Sequence, residues 1–566
     1  MSHAPDTPAA ATLRDYLLAA AAESPDAVAF RWKQAGEWKT LTHGDRLRDV
    51  RVVSEMAGRL GLKPGDRAAL MMENRVEWTT TYLGLACCGI TVVPIDAKLQ
   101  EREVSHILRD SGAAAIFAGG RRWPVLQMIE GDLPALRHVV LLDGVFDAPG
   151  KADGTRHYAY EELFAECAPA AARADAFFDR NAPTADTIAS ILYTSGTTGR
   201  PKGAMLTHGN FVAQVVGAFQ CFTVRKDDNF LLVLPLHHAF AFTANFIVPM
   251  ASQSEVSMVE NLRSIPENMR ETRPSILLAV PLLAEKMLEG IMKKLRKSPA
   301  AMAMLRLGLG RVVGRKIVDN LGGRLRILIC GGAASDVETL RMFNRFGVHT
   351  IEGYGLTETA PICALTPERE LHLGSVGKAL PGNELAIDEP GADGVGEICV
   401  RGPITMKGYF HNEAATAEVF HDGWFHTGDL GRIDAQGYLT ITGRKKSLIV
   451  NREGKNIYPE EVELAINAAP HVLESVVLGY RVGEEKGERV GAILVPDMDR
   501  IAADFPAKRG AMTDDEVAAL VRKEAQQAVT EIAEYKRPRK VQVRFEPFER
   551  TTTQKIKRYL YSFAAE

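Results

Sequence analysis

Residues 191–203 read ILYTSGTTGRPKG. The apolar run 188–193 predicts a strand that opens directly into Thr194, Ser195, Gly196, Thr197, Thr198 and Gly199, then Arg200, Pro201, Lys202 and Gly203. Glycines let a backbone turn sharply and approach an anion closely. Successive amides in such a turn form an anion nest, and the Ser and Thr hydroxyls add donors. Lys202 adds a compact positive charge suited to a polyphosphate. No Gly-Lys-Ser/Thr triplet closes the loop, so it is not the common P-loop. A Gly/Ser/Thr stretch alone also describes a flexible surface turn. Its place behind a strand and its Pro201-Lys202-Gly203 ending favour phosphate binding.

Other residues suit the rest of a nucleotide. Gly331, Gly332, Ala333 and Ala334 follow the apolar run 325–329. Small side chains at a strand's carboxyl end leave room for a flat ligand, and they equally suit a tight strand-to-helix turn. Glu352, Gly353, Tyr354, Gly355, Leu356, Thr357 and Glu358 come next. A tyrosine can stack on a purine and Thr357 can donate to a phosphate. Glu358 offers hard oxygens to magnesium, although a Thr-Glu pair is usually a helix cap. Asp429, closing Trp424-Phe425-His426-Thr427-Gly428-Asp429, can accept two ribose hydroxyls or be a turn aspartate. His237 and His238 stand between Pro235 and Phe240, with Phe242 beyond; the two aromatics fit a pocket or a plain core. Lys555 lies in RTTTQKIKR, residues 550–558, where Lys557 and Arg558 read as solvated surface.

Elements must hold these groups together. A helix is expected over Leu13–Glu23, strands over 68–72 and 90–95, and a helix over 78–88. Strand-helix alternation recurs from 230 to 351, with strands at 230–234, 275–280 and 325–329. Such alternation implies parallel sheet with right-handed crossovers. From 382 to 441 short strands and Gly-rich turns predict a small barrel or meander. A compact α+β tail follows the basic cluster Arg444-Lys445-Lys446. The expected fold is α/β: a large N-terminal domain, 1–443, of two parallel-sheet α/β subdomains plus a small β-barrel-like subdomain, and a small α+β C-terminal domain, 444–566. The Ala-rich stretch 168–176 reads as linker or helix.

At 566 residues the chain exceeds one ordinary core. Its 46% hydrophobic and 25% charged composition is that of a globular protein, and a net charge of -3 gives no global field for nucleic acid. Seven scattered cysteines lack paired two-residue spacing, which argues against a zinc site and for reduced thiols in a cytoplasm. The N-terminus does not read as a signal peptide, and no apolar run is long enough for a membrane span. Residues 291–326 carry ten Lys or Arg and one acid, Asp319, interleaved with apolar side chains. That pattern is an ordinary solvated helix face or a peripheral dock on the inner face of an anionic membrane.

The ordered motifs resemble the adenylate-forming superfamily of acyl-CoA synthetases, peptide-synthetase adenylation domains and firefly-type luciferases. The resemblance spans nearly the whole chain and implies an ATP-dependent ligase that makes an acyl-adenylate and passes the acyl group to a thiol. It implies that Thr194, Ser195, Gly196, Thr197, Thr198, Gly199 and Lys202 hold the β- and γ-phosphates. Gly331, Gly332, Ala333 and Ala334 would line adenine, with Glu352, Gly353, Tyr354 and Gly355 beside them. Glu358 would bind Mg²⁺, Thr357 the α-phosphate, Asp429 the ribose, and Arg444 ribose and phosphate. His238 would gate carboxylate entry. Lys555 would neutralise the α-phosphate, and Lys446 would be a hinge that swings it away. Residues 451–461, with Gly454 and Lys455, would line a channel for the pantetheine of coenzyme A. Gln554 in place of a common Gly, and four residues between Ile449 and Gly454, are most like the long-chain fatty acid–CoA ligase group. An aryl-CoA ligase, a ligase loading an acyl-carrier protein, and a silent binding module of the same fold stand as alternatives.

Overall fold

The computed structural model describes residues 10–144, 155–194, 201–368, 370–453, 455–483, 487–505, 512–550 and 556–563. Apolar runs such as Ile327–Gly331 and His138–Leu142 are buried along their whole length. A strand buried on both faces belongs inside a parallel sheet covered by helices. Two such sheets form the large part of the molecule.

One has seven strands, in the order Arg156–Ala159, His138–Leu142, Ala115–Gly119, Arg67–Met71, Thr91–Pro94, Ile188–Thr194 and Lys202–Thr207. Only the last pairing is antiparallel. The other has nine strands. Its centre, from His349–Gly355 through Ile327–Gly331, Ile276–Ala279, Asn229–Leu232 and Glu255–Met258 to Val28–Gln34, is parallel. Both edges are antiparallel.

Alternation along these strands divides their side chains between two layers. Leu70, Val92 and Phe117 from one sheet join Phe230, Ile276 and Ile329 from the other in the largest core. Ala69, Met71 and Val93 face an outer core instead, as do Leu231, Leu277 and Leu328 on the other sheet. Rings of Trp78, Tyr82, Phe242 and Phe246 meet within the central core, with centroids 4.6–6.2 Å apart. Phe242 is thus a core aromatic, only 2% exposed.

The expected helices form at Leu13–Glu23, capped by a Thr12/Asp15 box, and at Val76–Ala86. The Ala-rich stretch ends the helix Tyr160–Ala171. Residues 384–444 make a five-stranded antiparallel sheet. Beyond it, the antiparallel pair Val472–Tyr480 and Arg489–Pro496, with Lys540–Val543 parallel to the latter, forms a three-stranded sheet. The helices Pro459–Asn467 and Asp514–Ala528 pack on it around their own core. Arg558 departs from the sequence reading. It is ion-paired with Glu463 and lies 3.6 Å from Glu460, so it braces this tail instead of facing water.

Candidate active site

The carboxyl ends of strands from both large sheets open on one seam, where ligands of α/β folds bind. Asn74 and Asp96 follow two strands of the seven-stranded sheet. Asn74 Nδ2 donates to the Leu234 carbonyl (2.9 Å), and its Oδ1 accepts from the Leu236 amide (2.8 Å). His237 Nε2 lies 3.4 Å from Asp96 Oδ2. These contacts tie the histidine loop of one sheet to the other. His238 caps the short helix Ala239–Phe242, with its ring 4.0 Å from that of His237. A π-helical turn, Thr243–Ile247, follows, a distortion common at functional sites.

The small-residue shelf adjoins this loop. Gly331 ends its strand opposite Gly353. A Cβ on Gly331 would lie 3.3 Å from both the Gly353 oxygen and Phe240 Cζ. Backbone and aromatic ring therefore meet where any side chain would crowd. Gly332 adopts φ +88°, and Gly332, Ala333 and Ala334 are exposed, leaving an open ledge. Burial pushes the neighbouring Glu352 carboxyl up to about 7.

Two bonded chains involve the strand His349–Gly355, which pairs with the ledge's strand, and the turn that follows it. In the first, Lys202 Nζ lies 5.1 Å above the Tyr409 ring, a cation–π distance. The Tyr409 hydroxyl donates to Glu358 Oε1 at 2.9 Å. Thr357 and Glu358 lie on one 3-10 turn, Thr357–Thr359. Buried Gln214 clamps that turn by donating to the carbonyls of Thr359 (2.6 Å) and Ile362 (2.8 Å). In the second, the Tyr354 hydroxyl donates to Asp429 Oδ2 (2.8 Å), and Arg444 Nε lies 3.0 Å from Asp429 Oδ1. Asp429 and Arg444 are cross-strand partners. Each carboxylate oxygen retains a second lone pair for a ligand hydroxyl. Tyr354 is 8% exposed, so its hydroxyl serves Asp429 while its ring joins the core.

Thr194 and Lys202 are the last cross-strand partners of the hairpin that carries the expected phosphate loop. Ser195, Gly196, Thr197, Thr198 and Gly199 lie outside the described residues, as do Gly454 and Lys555. Arg550 and Ile556, on either side of the undescribed stretch with Lys555, are bridge partners. Lys455 pairs with Glu453 at 3.0 Å and lies 4.6 Å over the Tyr535 ring. Lys446 sits in the turn Lys445–Ser447, and Lys445 is ion-paired with Glu397 at 2.6 Å.

Tyr409, Gln214 and Asn74 were not among the residues singled out from the sequence. Each acts through a partner far along the chain, which spacing cannot reveal. The one local cue was Tyr409, an aromatic following Lys407-Gly408.

An α/β seam with a hydroxyl-rich hairpin, a carboxylate turn and a small-residue ledge defines a nucleotide-binding enzyme. The profile of the AMP-binding enzyme family matches residues 17–410, and the chain belongs to that family. A long-chain-fatty-acid–CoA ligase, FadD15, of Mycobacterium bovis is 31% identical over 485 residues, covering 81% of this chain and 78% of the relative. The crystal structure of the anthranilate CoA ligase AuaEII with anthranoyl-AMP superposes with a TM-score of 0.77 at 22% identity, covering 99% of this chain and 98% of that one, a likeness of fold. A Mycobacterium tuberculosis fatty acyl CoA synthetase superposes at 0.66 with 26% identity and 96% coverage of each chain.

Proposed function

We propose that the protein is an AMP-forming fatty acid–CoA ligase. A carboxylate attacks the α-phosphorus of ATP, pyrophosphate leaves, and the thiol of coenzyme A then displaces AMP from the acyl-adenylate. The observation that carries this reading is the pair of chains, Lys202–Tyr409–Glu358 and Tyr354–Asp429–Arg444, on and just after the strand that pairs with the strand ending in the ledge. Together they present a cation, a half-buried carboxylate and a hydroxyl-accepting carboxylate. These are the groups that a polyphosphate, its counter-ion and a ribose require.

Glu358 fits a magnesium ligand: it is half-buried, and Tyr409 donates to one oxygen of its carboxylate while the Met406 amide donates only to its backbone carbonyl. Magnesium bound there would screen phosphate charge. No protein nucleophile is needed, so positioning and charge supply the acceleration. Ser195 to Gly199 would cradle the leaving phosphates. Thr357 and Lys555 would meet the α-phosphate, and His238 would sit at the carboxylate entry beside Phe240. Glu352 and Gly355 would border the base. In this reading residues 444–566 form a mobile domain turning about Lys446. Gly454 and Lys455 would border the thiol channel.

The fatty acid is favoured over an aryl acid by the names of the relatives. Pyrophosphate release with a panel of carboxylates, with coenzyme A or acyl-carrier protein as acceptor, tests this. Turnover of fatty acids with coenzyme A is expected; turnover of aryl acids alone, or of carrier protein alone, would replace the reading.

Peripheral membrane delivery of the acid is a second proposal. No described helix is long and apolar enough to cross a membrane. The helices Pro281–Leu295, Pro299–Arg306 and Gly310–Asn320 nonetheless leave Leu307 76% exposed and Val312 52% exposed. Lys293, Lys294, Arg296, Lys297 and Arg306 beside them have no carboxylate within ion-pair distance among the described residues. Co-sedimentation with anionic vesicles, lost when Lys293, Lys294, Arg296 and Lys297 are neutralised, is the expected result; unchanged binding would end the proposal.

A further inference from the structure

The small antiparallel sheet carries a donor cluster that the ligase reaction does not use. Cys399 is the direct cross-strand partner of both Ala386 and His426, and Asp388 is the partner of Glu397. Residues two apart on a strand share a face. Asp388, Glu397, Cys399 and His426, from the strands Glu384–Asp388, Gly396–Arg401 and Trp424–Ile433, therefore all project from one side.

Their heads converge on one ring nitrogen. His426 Nδ1 lies 3.5 Å from Cys399 Sγ, 3.5 Å from Glu397 Oε2 and 3.8 Å from Asp388 Oδ2. The donor atoms of Asp388, Cys399 and His426 all fall within 4.8 Å of one another. Tetrahedral zinc, with bonds of about 2.0–2.3 Å, sets its ligands about 3.3–3.8 Å apart. A neutral imidazole nitrogen can donate to only one of three acceptors or accept from one donor. A cation placed among them satisfies all. Lys445 Nζ, 2.6 Å from Glu397 Oε2, is the neighbouring positive charge and offsets one of the two carboxylates. The other carboxylate, Asp388, has only His426 within ion-pair distance among the described residues.

We propose that Asp388, Cys399 and His426 form a zinc-binding site, with a solvent molecule or Glu397 as fourth ligand. Thiolate, imidazole and carboxylate are the donor set for zinc and not for magnesium. On binding, the Cys399 S–H bond breaks, an Sγ–zinc bond forms, and the proton passes to solvent. Cys399 is 3% exposed and Asp388 stands at the open side, 47% exposed, giving the ion an entry. The ligands come from three strands, so no Cys-x-x-Cys spacing announces them. The site lies on the strand that carries Asp429 and against the lysine next to Lys446, so metal there would stiffen the sheet on which the nucleotide groups and the tail are hung.

The test uses the full chain without nucleotide, so it is independent of the ligase reading. Cobalt(II) titration is expected to give a thiolate-to-cobalt charge-transfer band with one-to-one stoichiometry, and zinc is expected to abolish it. The band should vanish in Cys399→Ser, and Asp388→Asn should weaken binding about tenfold or more. Zinc should raise the melting temperature of the wild type and not of Cys399→Ser. A wild type without the band, or a Cys399→Ser variant that keeps both band and stabilisation, would overturn the site. Melting of Cys399→Ser without metal confirms that the variant is folded, and the half-exposed Asp388→Asn gives the same test from a position outside the core.

Discussion

Tyr409 shows how one side chain can set the position of two others. It holds Glu358 by a hydrogen bond and lies under Lys202. Burial and the Glu358 charge keep its hydroxyl protonated, so it remains a donor. Tyr409→Phe keeps the ring and loses the donor. A hydrogen bond to a charged group is worth about 1.5–3 kcal/mol. The variant is expected to lower kcat/KM for Mg-ATP about tenfold or more and to raise the magnesium needed for half-maximal rate, in steady-state assays varying the metal. Glu352 makes a prediction in pH. Its pKa is raised from 4.5 to about 7 by burial. The folded protein keeps this proton where the unfolded chain has lost it. Its stabilisation is complete below 4.5 and is lost as pH rises through about 7. Glu352→Gln, which cannot ionise, should match the wild type in urea unfolding near pH 4.5 and exceed it near pH 8. An equal gap at both would refute the assignment.

At the scale of elements, the turn Thr357–Thr359 is held by Gln214 on the helix His208–Cys221. Gln214→Leu would leave two buried carbonyls without their donor, at a cost of about 2–4 kcal/mol. Lower urea midpoint together with weaker Mg-ATP binding is expected; a shift in only one would separate packing from positioning. Much of this architecture was legible. The helix Leu13–Glu23 and the strand Ile188–Thr194 follow from periodicity and a cap. Gly331 to Ala334 and Thr357 to Asp429 were marked by small or charged residues at strand ends. What stayed hidden depends on distance along the chain. Gln214 reaches Thr359, Asn74 reaches Leu234, and Tyr354 reaches Asp429. Arg558 looked solvated because its partners Glu460 and Glu463 lie on a helix about a hundred residues earlier, and side-chain pairs are legible in sequence only at helical spacings.

For the whole molecule the proposed cycle needs two arrangements of one tail. Lys445, just ahead of Lys446, is paired with Glu397 and so held to the small sheet. Tyr458, beyond Lys446, packs with Val395 and Leu430, a contact that the proposed turn about Lys446 would have to break. Lys446→Pro fixes φ and forbids a free rotation there. Single-turnover assays of the two half-reactions are expected to show one retained and the other reduced about a hundredfold, with overall turnover lost. Equal small losses in both would place the pivot elsewhere.

In the proposed cycle the Lys555 amine neutralises charge on the α-phosphate during adenylate formation. ATP–pyrophosphate exchange in Lys555→Ala, beside transfer from preformed acyl-adenylate to coenzyme A, measures it most directly. A preorganised cation of this kind contributes about 3–4 kcal/mol. Exchange should therefore fall at least about a hundredfold while transfer from the adenylate is kept. Exchange at the wild-type rate would rule out that role for Lys555.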